Sequence, residues 1–132
     1  MNPLTLTTEQ LQAMIHYVEA EVPLEACGLL GGTDSRVESV HFVRNQAQSP
    51  VRFVMDPRQQ LDAFEEIKSS GQELLAIFHS HPAGPETVSV TDIAEAAYPV
   101  VHIILAHLGG TWKARGFWIE KGQSDEVELH IV

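Results

Sequence analysis

Two histidines separated by one residue, His79 and His81, are the side chains of this sequence best suited to binding a metal ion. They directly follow an apolar run, Leu74 to Phe78, that is typical of a buried strand. Side chains at positions i and i+2 of a strand point to the same face, so both imidazoles can be directed at one ion. Such pairs also occur among ordinary structural histidines, so a metal site is predicted only if further ligands accompany this histidine pair.

Asp92, eleven residues after His81, is the best-placed third ligand. Two histidines and one carboxylate would form a three-ligand zinc site whose fourth tetrahedral position is left to water. Asp92 has a second interpretation, because Ser89 and Asp92 have the spacing of a helix N-terminal cap, and Thr91 offers another capping side chain. A carboxylate near the start of a helix can serve both purposes, so neither interpretation excludes the other.

A hydrolytic zinc site also needs a base that takes a proton from water and does not itself bind the metal. Glu25 is the candidate, because it directly precedes the apolar, glycine-rich run 26–32 that is predicted to form a strand. A carboxylate at the edge of such an element can reach a cleft. Taken alone, however, a glutamate in this position is more often a solvent-exposed acid.

The hydrophobic pattern predicts the elements that must position these residues. Thr7 and Gln10 have the spacing of a capping box at the start of a first helix, and Asp56 and Pro57 are typical of the start of a second. The predicted helices span 7–21, 57–70 and 91–98, and the predicted strands span 26–32, 37–45, 51–55, 74–78, 100–108, 112–120 and 127–132. This order indicates a layered fold of the α/β or α+β class with a central mixed sheet. We expect one domain, residues 1–132.

Composition narrows the function classes. The chain has 132 residues with 18 acidic and 8 basic side chains, a net charge of −10 that would repel nucleic acid and anionic membranes. No apolar stretch approaches the ~20 residues of a membrane-spanning helix. The N-terminus lacks the basic and apolar regions of a signal peptide, and the single cysteine, Cys27, agrees with a reducing compartment. We therefore expect a cytoplasmic protein.

Other residues of reactive type have structural interpretations. Cys27 lies in an apolar run with no basic neighbour in sequence to lower its pKa, which favours a buried structural thiol. His102 and His107 flank an apolar strand, and one of them could lie near the metal, although a structural or exposed position is favoured for both. Trp112 and Trp118 share one face of a strand, which favours packing in the core or in a homodimer interface over substrate stacking.

Together, three segments resemble the signature of the JAMM (MPN-plus) zinc metalloproteases of the short prokaryotic type. They are Glu25, then His79-Ser80-His81-Pro82, then Ser89-Val90-Thr91-Asp92. The resemblance extends over nearly the whole chain, because the EACGLLGG, SPVRFVMDP and HSHP blocks come in the order seen in that family. It implies a cytidine-deaminase-like three-layer α/β arrangement, with a central mixed β-sheet flanked by helices.

The resemblance also implies a role for each residue of the signature. His79, His81 and Asp92 would bind Zn²⁺, Glu25 would be the general base, and Ser89 would stabilise the tetrahedral oxyanion, a role that spacing alone does not assign. Where many short prokaryotic relatives have prolines beside the motif serine, this chain has Val88 and Val90, which removes no functional group.

The activity implied is that of a peptidase or isopeptidase that cleaves after the C-terminal diglycine of a ubiquitin-like or sulfur carrier protein. The chain lacks room for the insertions of eukaryotic deubiquitinases, which implies a smaller substrate. A non-catalytic MPN scaffold that acts in protein assembly is the alternative, but its members have lost ligands that this chain retains. Zinc-dependent nucleobase deamination requires a PCxxC motif that one cysteine cannot supply.

Overall fold

Eight strands form one mixed sheet at the centre of the computed structural model, which describes residues 2–132. The strands are β1 (Leu4–Leu6), β2 (Cys27–Thr33), β3 (Arg36–Val43), β4 (Glu73–His81), β5 (Val101–Leu108), β6 (Thr111–Glu120), β7 (Gln123–Val127) and β8 (Leu129–Ile131). The helices are α1 (Thr8–Glu21), α2 (Pro57–Ser69) and α3 (Val90–Glu95). The strand order is β7-β6-β5-β4-β2-β3-β1-β8. The β4–β5, β1–β3 and β1–β8 pairs are parallel, and the others are antiparallel.

The sheet curls until its two ends meet. Only Glu128 separates β7 from β8, although these strands stand at opposite ends of the strand order. Gly116 of β6 shows how close the approach is, because a Cβ atom there would lie 2.9 Å from the side chain of Leu129 and 3.0 Å from the carbonyl oxygen of Val127. A side chain at position 116 would therefore push β8 away from β6.

Helix α1 packs against one face of the curled sheet. It begins with the predicted capping box, in which Thr7 Oγ1 accepts from the Gln10 backbone N–H and Gln10 Oε1 accepts from the Thr7 N–H. The helix buries Met14 and Val18 completely. The hydrophobic core between α1 and the sheet also contains alternate residues of β2, β4 and β5, among them Leu30, Ala76, Phe78, Ile103 and Leu105. Trp112 and Trp118 pack at the margin of this core. The tryptophans thus contribute to the core of the chain itself.

Helix α2 covers the opposite face. Asp56 caps it by accepting from the N–H groups of Arg58 and Gln59. The second core combines Ala63 and Ile67 of α2, and Met55 of the loop before it, with the other set of alternating strand residues. These strand residues are Cys27, Leu29, Val43 and Ile77. Helices on both sides of a mixed sheet confirm the three-layer α/β fold that the sequence predicts.

Strand β4 runs through both histidines, three residues beyond the end predicted at Phe78. It can continue because it is paired on both sides, with Cys27 of β2 opposite His79 and Ala106 of β5 opposite His81. Alternation along β4 places His79 and His81 on the face that α2 covers, the same face as Ile77. The strand therefore delivers both imidazoles to one side of the sheet.

Segment 51–55 is not the strand that its sequence predicts. It makes one isolated bridge, between Asn45 and Met55, and is otherwise a loop. The buried Asn45 side chain organises this loop, since its Oδ1 accepts from the N–H groups of Ala47 and Val54 and its Nδ2 donates to the carbonyls of Arg52 and Glu25. Local side-chain hydrogen bonds of this kind compete with strand pairing.

The other differences are smaller. Helix α3 ends at Glu95 instead of Tyr98, and the short strands β1 and β7 were not predicted. Within α2, the apolar side chain of Leu61 is 52% exposed, whereas Ala63 is buried.

Cys27 is fully buried, and its thiol donates to the Val43 carbonyl at 3.3 Å. Burial raises the pKa of this thiol to about 12, in agreement with a structural role.

None of the helices within 2–132 combines the length and apolarity needed to cross a bilayer.

None of the six residues of helix α3 is buried, so contacts at and beyond its two ends hold it in place. At its C-terminal end, Glu95 accepts two hydrogen bonds from the Arg52 guanidinium, at 3.1 and 2.7 Å. Before its N-terminus, Val88 packs against the buried residues Ile104, Ala106 and Phe117. The loop that contains Arg52 therefore anchors the helix that carries Asp92.

Replacing Arg52 with methionine should loosen α3 without unfolding the protein. An exposed ion pair contributes little to stability, so the free energy of unfolding should barely change, whereas amide exchange in 90–95 should become faster. Hydrogen exchange followed by mass spectrometry measures the second effect. Arg58→Met is the matched control, because the Arg58–Asp62 pair lies within α2. Unchanged exchange in Arg52→Met would show that the ion pair does not hold the helix.

Candidate metal centre

The fold brings together the five residues that the sequence predicts at the reactive centre, with Ser89 next to Asp92 as the N-cap of α3. Strand β4 supplies His79 and His81, and α3 supplies Asp92. Glu25 lies two residues before β2, and extending the β2–β4 register from the Cys27–His79 pair places it opposite His81. Because positions 25, 79 and 81 share one face of the sheet, all three side chains point toward α3 and the loop before α2.

Three metal-binding groups, the imidazoles of His79 and His81 and the Asp92 carboxylate, lie at the corners of a triangle, with one carboxylate oxygen facing each ring. His79 Nε2 lies 3.1 Å from His81 Nε2 and 3.1 Å from Asp92 Oδ1, and His81 Nε2 lies 3.1 Å from Asp92 Oδ2. In a tetrahedral zinc site with bonds of ~2.0–2.1 Å, neighbouring ligand atoms are roughly 3.3 Å apart. Each of the three contacts therefore has nearly the length of one edge of such a tetrahedron, and these residues fit Zn²⁺.

The orientation of the His81 ring supports the same interpretation. Its Nδ1 lies 2.8 Å from the Pro85 carbonyl, which can only accept, so Nδ1 carries the donated proton. In the neutral ring, Nε2 then presents a lone pair to His79 and Asp92. A backbone carbonyl that fixes the tautomer of a histidine is a common outer-shell contact in metal sites.

Asp92 caps α3 and faces the histidines at the same time. Its Oδ2 accepts from the Ser89 N–H at 2.9 Å, while its own N–H donates to Ser89 Oγ at 3.0 Å. This reciprocal capping box holds the carboxylate at the start of the helix. Both interpretations of the Ser-x-x-Asp spacing therefore apply to one side chain.

The charge states at the centre suit a cation. Burial acts to raise the pKa of Asp92, but hydrogen bonds with His79 and His81 outweigh it and hold that pKa well below its usual range. Burial lowers the pKa of His79, which favours its neutral form. Burial also opposes protonation of His81, but contacts with Asp92 and the Pro85 carbonyl outweigh it and raise the pKa of that ring. An ionised carboxylate beside a neutral imidazole provides the donor atoms that zinc binds.

Glu25 is buried, with only 4% of its surface exposed, so it is not the solvated acid that its sequence position alone would favour. It offers an oxygen within 4.8 Å of ligand atoms of both His79 and His81, and its Oε1 has no hydrogen-bond partner among residues 2–132. Burial raises the pKa of Glu25 to about 7, with His81 lowering it and Asp92 raising it. A carboxyl group with that pKa can both accept and release a proton near neutral pH.

Two polar residues that sequence reasoning missed hold the backbone around Glu25. Ser80, between the histidines, points to the opposite face of β4, where its hydroxyl oxygen accepts from the buried Ala26 N–H at 2.8 Å. Asn45 donates to the Glu25 carbonyl at 2.9 Å. The alternation of side chains along a strand predicts that Ser80 lies on the face opposite to the two histidines. Its hydrogen-bond partner, however, depends on the β2–β4 register, which the sequence does not specify.

Next to the triangle lies a cavity of about 220 Å³. Phe53, whose ring stacks on His79 with centroids 4.5 Å apart, forms one wall, and His102 of β5 forms part of the lining. His102 is 3% exposed, and burial, with a smaller contribution from His79, lowers its pKa to about 4. The expectation that both later histidines are structural or exposed is therefore incomplete, since His102 lies beside the centre whereas His107 is exposed.

Comparison with known proteins gives a consistent family assignment. Residues 7–119 match a family described as prokaryotic homologs of the JAB domain. The chain is 37% identical over 131 residues to a desampylase of Pyrococcus furiosus, covering 97% of this chain and 90% of that protein. It is 38% identical over 113 residues to a probable TtuB-protein conjugate cleaving protease of Thermus thermophilus, covering 85% and 72%. It is 29% identical over 133 residues to a CysO-cysteine peptidase of Mycobacterium tuberculosis, covering 98% and 91%.

Solved structures share the fold. A solution structure of a Desulfitobacterium hafniense protein superposes with a TM-score of 0.87 at 36% identity, covering 97% of this chain and 92% of that one. A structure described as a metalloprotease-like zinc site of the JAMM type superposes with a TM-score of 0.61 at 19% identity, covering 99% of both chains. The match over most of the sequence, the shared fold and a cluster that fits zinc show that this chain belongs to the prokaryotic JAB-domain family of JAMM zinc metallopeptidases.

Proposed function

We propose that this peptidase hydrolyses the bond that follows the C-terminal diglycine of a ubiquitin-like or sulfur carrier protein. The observation that carries the proposal is a buried carboxyl group, Glu25, beside a triangle of three metal-binding side chains. The substrate class is supported by the relatives, which are named for cleaving conjugates or a cysteine adduct of proteins of this kind. A scaffold without catalytic function would have no need to keep a buried carboxyl group near pKa 7.

In this proposal His79, His81 and Asp92 hold the metal. Bound zinc would polarise the substrate carbonyl and make water easier to deprotonate. The chain supplies the orientation, since β4 fixes both imidazoles, the Pro85 carbonyl fixes the His81 tautomer, and Ser89 holds the Asp92 carboxylate.

Glu25 moves the proton. Its carboxylate accepts one proton from the attacking water as the new carbon–oxygen bond forms, and returns it to the nitrogen of the leaving amine as the carbon–nitrogen bond breaks. One residue can perform both steps because its pKa, raised to about 7 by burial, lies between those of a carboxylic acid in water and an amine.

Ser89 is proposed to stabilise the negative charge on the carbonyl oxygen. Its oxygen accepts from the Asp92 N–H, which leaves its own O–H free to donate toward the substrate. A donor that the capping box already holds in place loses little orientational freedom during the reaction.

A diglycine requirement is proposed because glycine, which has no side chain, lets a substrate backbone approach the metal centre closely. Most of the affinity would come from the folded carrier. We place the protein in the cytoplasm, with support from a single buried, unpaired cysteine, and expect no nucleic-acid partner given a net charge of −10.

Variants of the three ligands should lose the metal. His79→Ala and Asp92→Ala remove one corner of the triangle each, so purified variants should contain well under one zinc per chain when the wild type contains one. Elemental analysis by mass spectrometry measures this ratio. His107→Ala is the matched control because this histidine is exposed and outside the cluster. Full zinc loading of His79→Ala or Asp92→Ala would remove that residue from the ligand set.

Glu25→Gln should separate proton transfer from metal binding. The amide keeps the shape of the side chain but cannot carry the proton, so turnover should fall by about 10²–10⁴-fold while zinc content and thermal stability are retained. Steady-state kinetics with parallel zinc analysis tests both statements. If Glu25→Gln abolished zinc binding instead, the residue would be a ligand.

Ser89→Ala should retain zinc and lose about 10²-fold in turnover, since it removes the proposed oxyanion donor. It also removes a helix cap, so Ser89→Thr serves as the comparison, because threonine keeps both the hydroxyl and the capping oxygen. The threonine variant should recover most of the activity. Equal loss in both variants would mean that the hydroxyl does not act in the reaction.

Cleavage should depend on the diglycine and on the folded carrier. Ubiquitin-like carriers bearing an added residue or a lysine-linked peptide after Gly-Gly should be cut at the second glycine carbonyl, and a Gly→Val change in the tail should slow cleavage strongly. Mass spectrometry of the products identifies the bond, with a chelator and Glu25→Gln as controls. Equal cleavage of unrelated peptides would leave only a broad zinc peptidase.

A further inference from the structure

We infer that Phe53 is a positioning residue for the metal centre. Its ring holds the imidazole of His79 in the plane that metal binding requires, at the one histidine of the pair whose outer ring nitrogen has no hydrogen-bond partner within residues 2–132. This inference rests on the proposed function, in which His79 binds the metal, and adds to it a side chain that is not itself a ligand.

The two histidines of the centre are supported in different ways. When a neutral imidazole binds a metal through Nε2, its proton lies on Nδ1, and this N–H usually donates to a carboxylate, a carbonyl or water. His81 follows this pattern, with Nδ1 2.8 Å from the Pro85 carbonyl oxygen. Nδ1 of His79 is buried and makes no hydrogen bond with any residue from 2 to 132. The plane of the His79 ring therefore needs another support.

The side-chain torsion of His79 does not provide that support. Rotation of an imidazole about the bond between Cβ and the ring has broad minima, so the ring can turn considerably at little cost in energy. Such a turn moves Nε2 and directs its lone pair away from a metal held by His81 and Asp92. Packing against the face of the ring must therefore fix its plane.

Phe53 packs against that face. The rings of Phe53 and His79 are stacked, with centroids 4.5 Å apart and planes inclined by 26°. This separation is within the range of stabilising aromatic pairs. The His81 ring, in contrast, meets His79 edge-on, at 4.9 Å and 68°. Of these two neighbours, Phe53 is therefore the one that restricts rotation of the His79 ring.

The Phe53 ring is itself held in place through its backbone. The buried Asn45 side chain binds both neighbours of Phe53, because its Oδ1 accepts from the Val54 N–H at 2.9 Å and its Nδ2 donates to the Arg52 carbonyl at 3.0 Å. The same Nδ2 donates to the Glu25 carbonyl at 2.9 Å. A side chain can orient a ligand only if its own position is fixed. One amide thus fixes Phe53 relative to the backbone of the proposed base.

The experiment measures the zinc affinity of the whole chain by competition with a chromophoric chelator. Phe53→Leu keeps an apolar side chain but loses the flat ring, so zinc binding should weaken at least about tenfold, as is typical when an outer-shell contact is removed. Phe53→Tyr keeps the ring and should bind zinc nearly as tightly as the wild type. Wild-type zinc affinity in Phe53→Leu would overturn the inference.

Phe64→Leu is the matched control for a loss of packing alone. Phe53 and Phe64 are both half-buried and both pack against the second core, but the ring of Phe64 contacts that of Tyr98 and no metal ligand. Thermal unfolding in the presence of a chelator should show a loss of stability in both leucine variants, whereas only Phe53→Leu should bind zinc more weakly. An equal loss of zinc affinity in both variants would reduce Phe53 to a packing residue.

The same titration distinguishes failure of the inference from failure of the proposed function. Because zinc affinity is measured without substrate, a protein that cleaves no carrier adduct would overturn the proposed function and leave the inference standing. If His79→Ala loses its zinc while Phe53→Leu binds zinc as the wild type does, only the inference falls. Full zinc loading of His79→Ala would overturn both, since His79 would then not be a ligand.

Discussion

The antiparallel register between β2 and β4 is the constraint on which the rest of the centre depends. Pairing Cys27 with His79 places Glu25 two residues further, opposite His81, so that the proposed base and the ligands share one face. The hydroxyl of Ser80 secures this register by accepting from the Ala26 N–H. A slip of one residue would turn Glu25 to the other face of the sheet.

The same pairing explains why β2 is rich in glycine. At Gly28, a Cβ atom would overlap the ring of Phe78 and the carbonyl oxygen of His41, so a side chain there would force β2 away from its neighbours. Close packing around β2 also buries Glu25 and His79, and burial is the main cause of the raised pKa of Glu25 and the lowered pKa of His79. The chemistry attributed to the centre is thus a consequence of how tightly the sheet is packed.

Much of this arrangement could be predicted from the sequence because it follows local rules. The spacing of His79 and His81 predicts one face of a strand, and the capping boxes predict the starts of α1 and α3. Features that depend on distant partners could not be predicted. Segment 51–55 has the composition of a strand, but its backbone forms hydrogen bonds with the Asn45 side chain and not with a partner strand. His102 lies beside the metal centre only because β5 pairs with β4.

The atoms that surround the metal are identified most directly by an anomalous difference map at the zinc absorption edge, from crystals of the zinc-loaded protein. We expect one peak within about 2.0–2.2 Å of His79 Nε2, His81 Nε2 and an Asp92 carboxylate oxygen, with Glu25 beyond bonding distance. A peak bonded to Glu25 in place of Asp92, or located away from His79 and His81, would contradict this set of ligands.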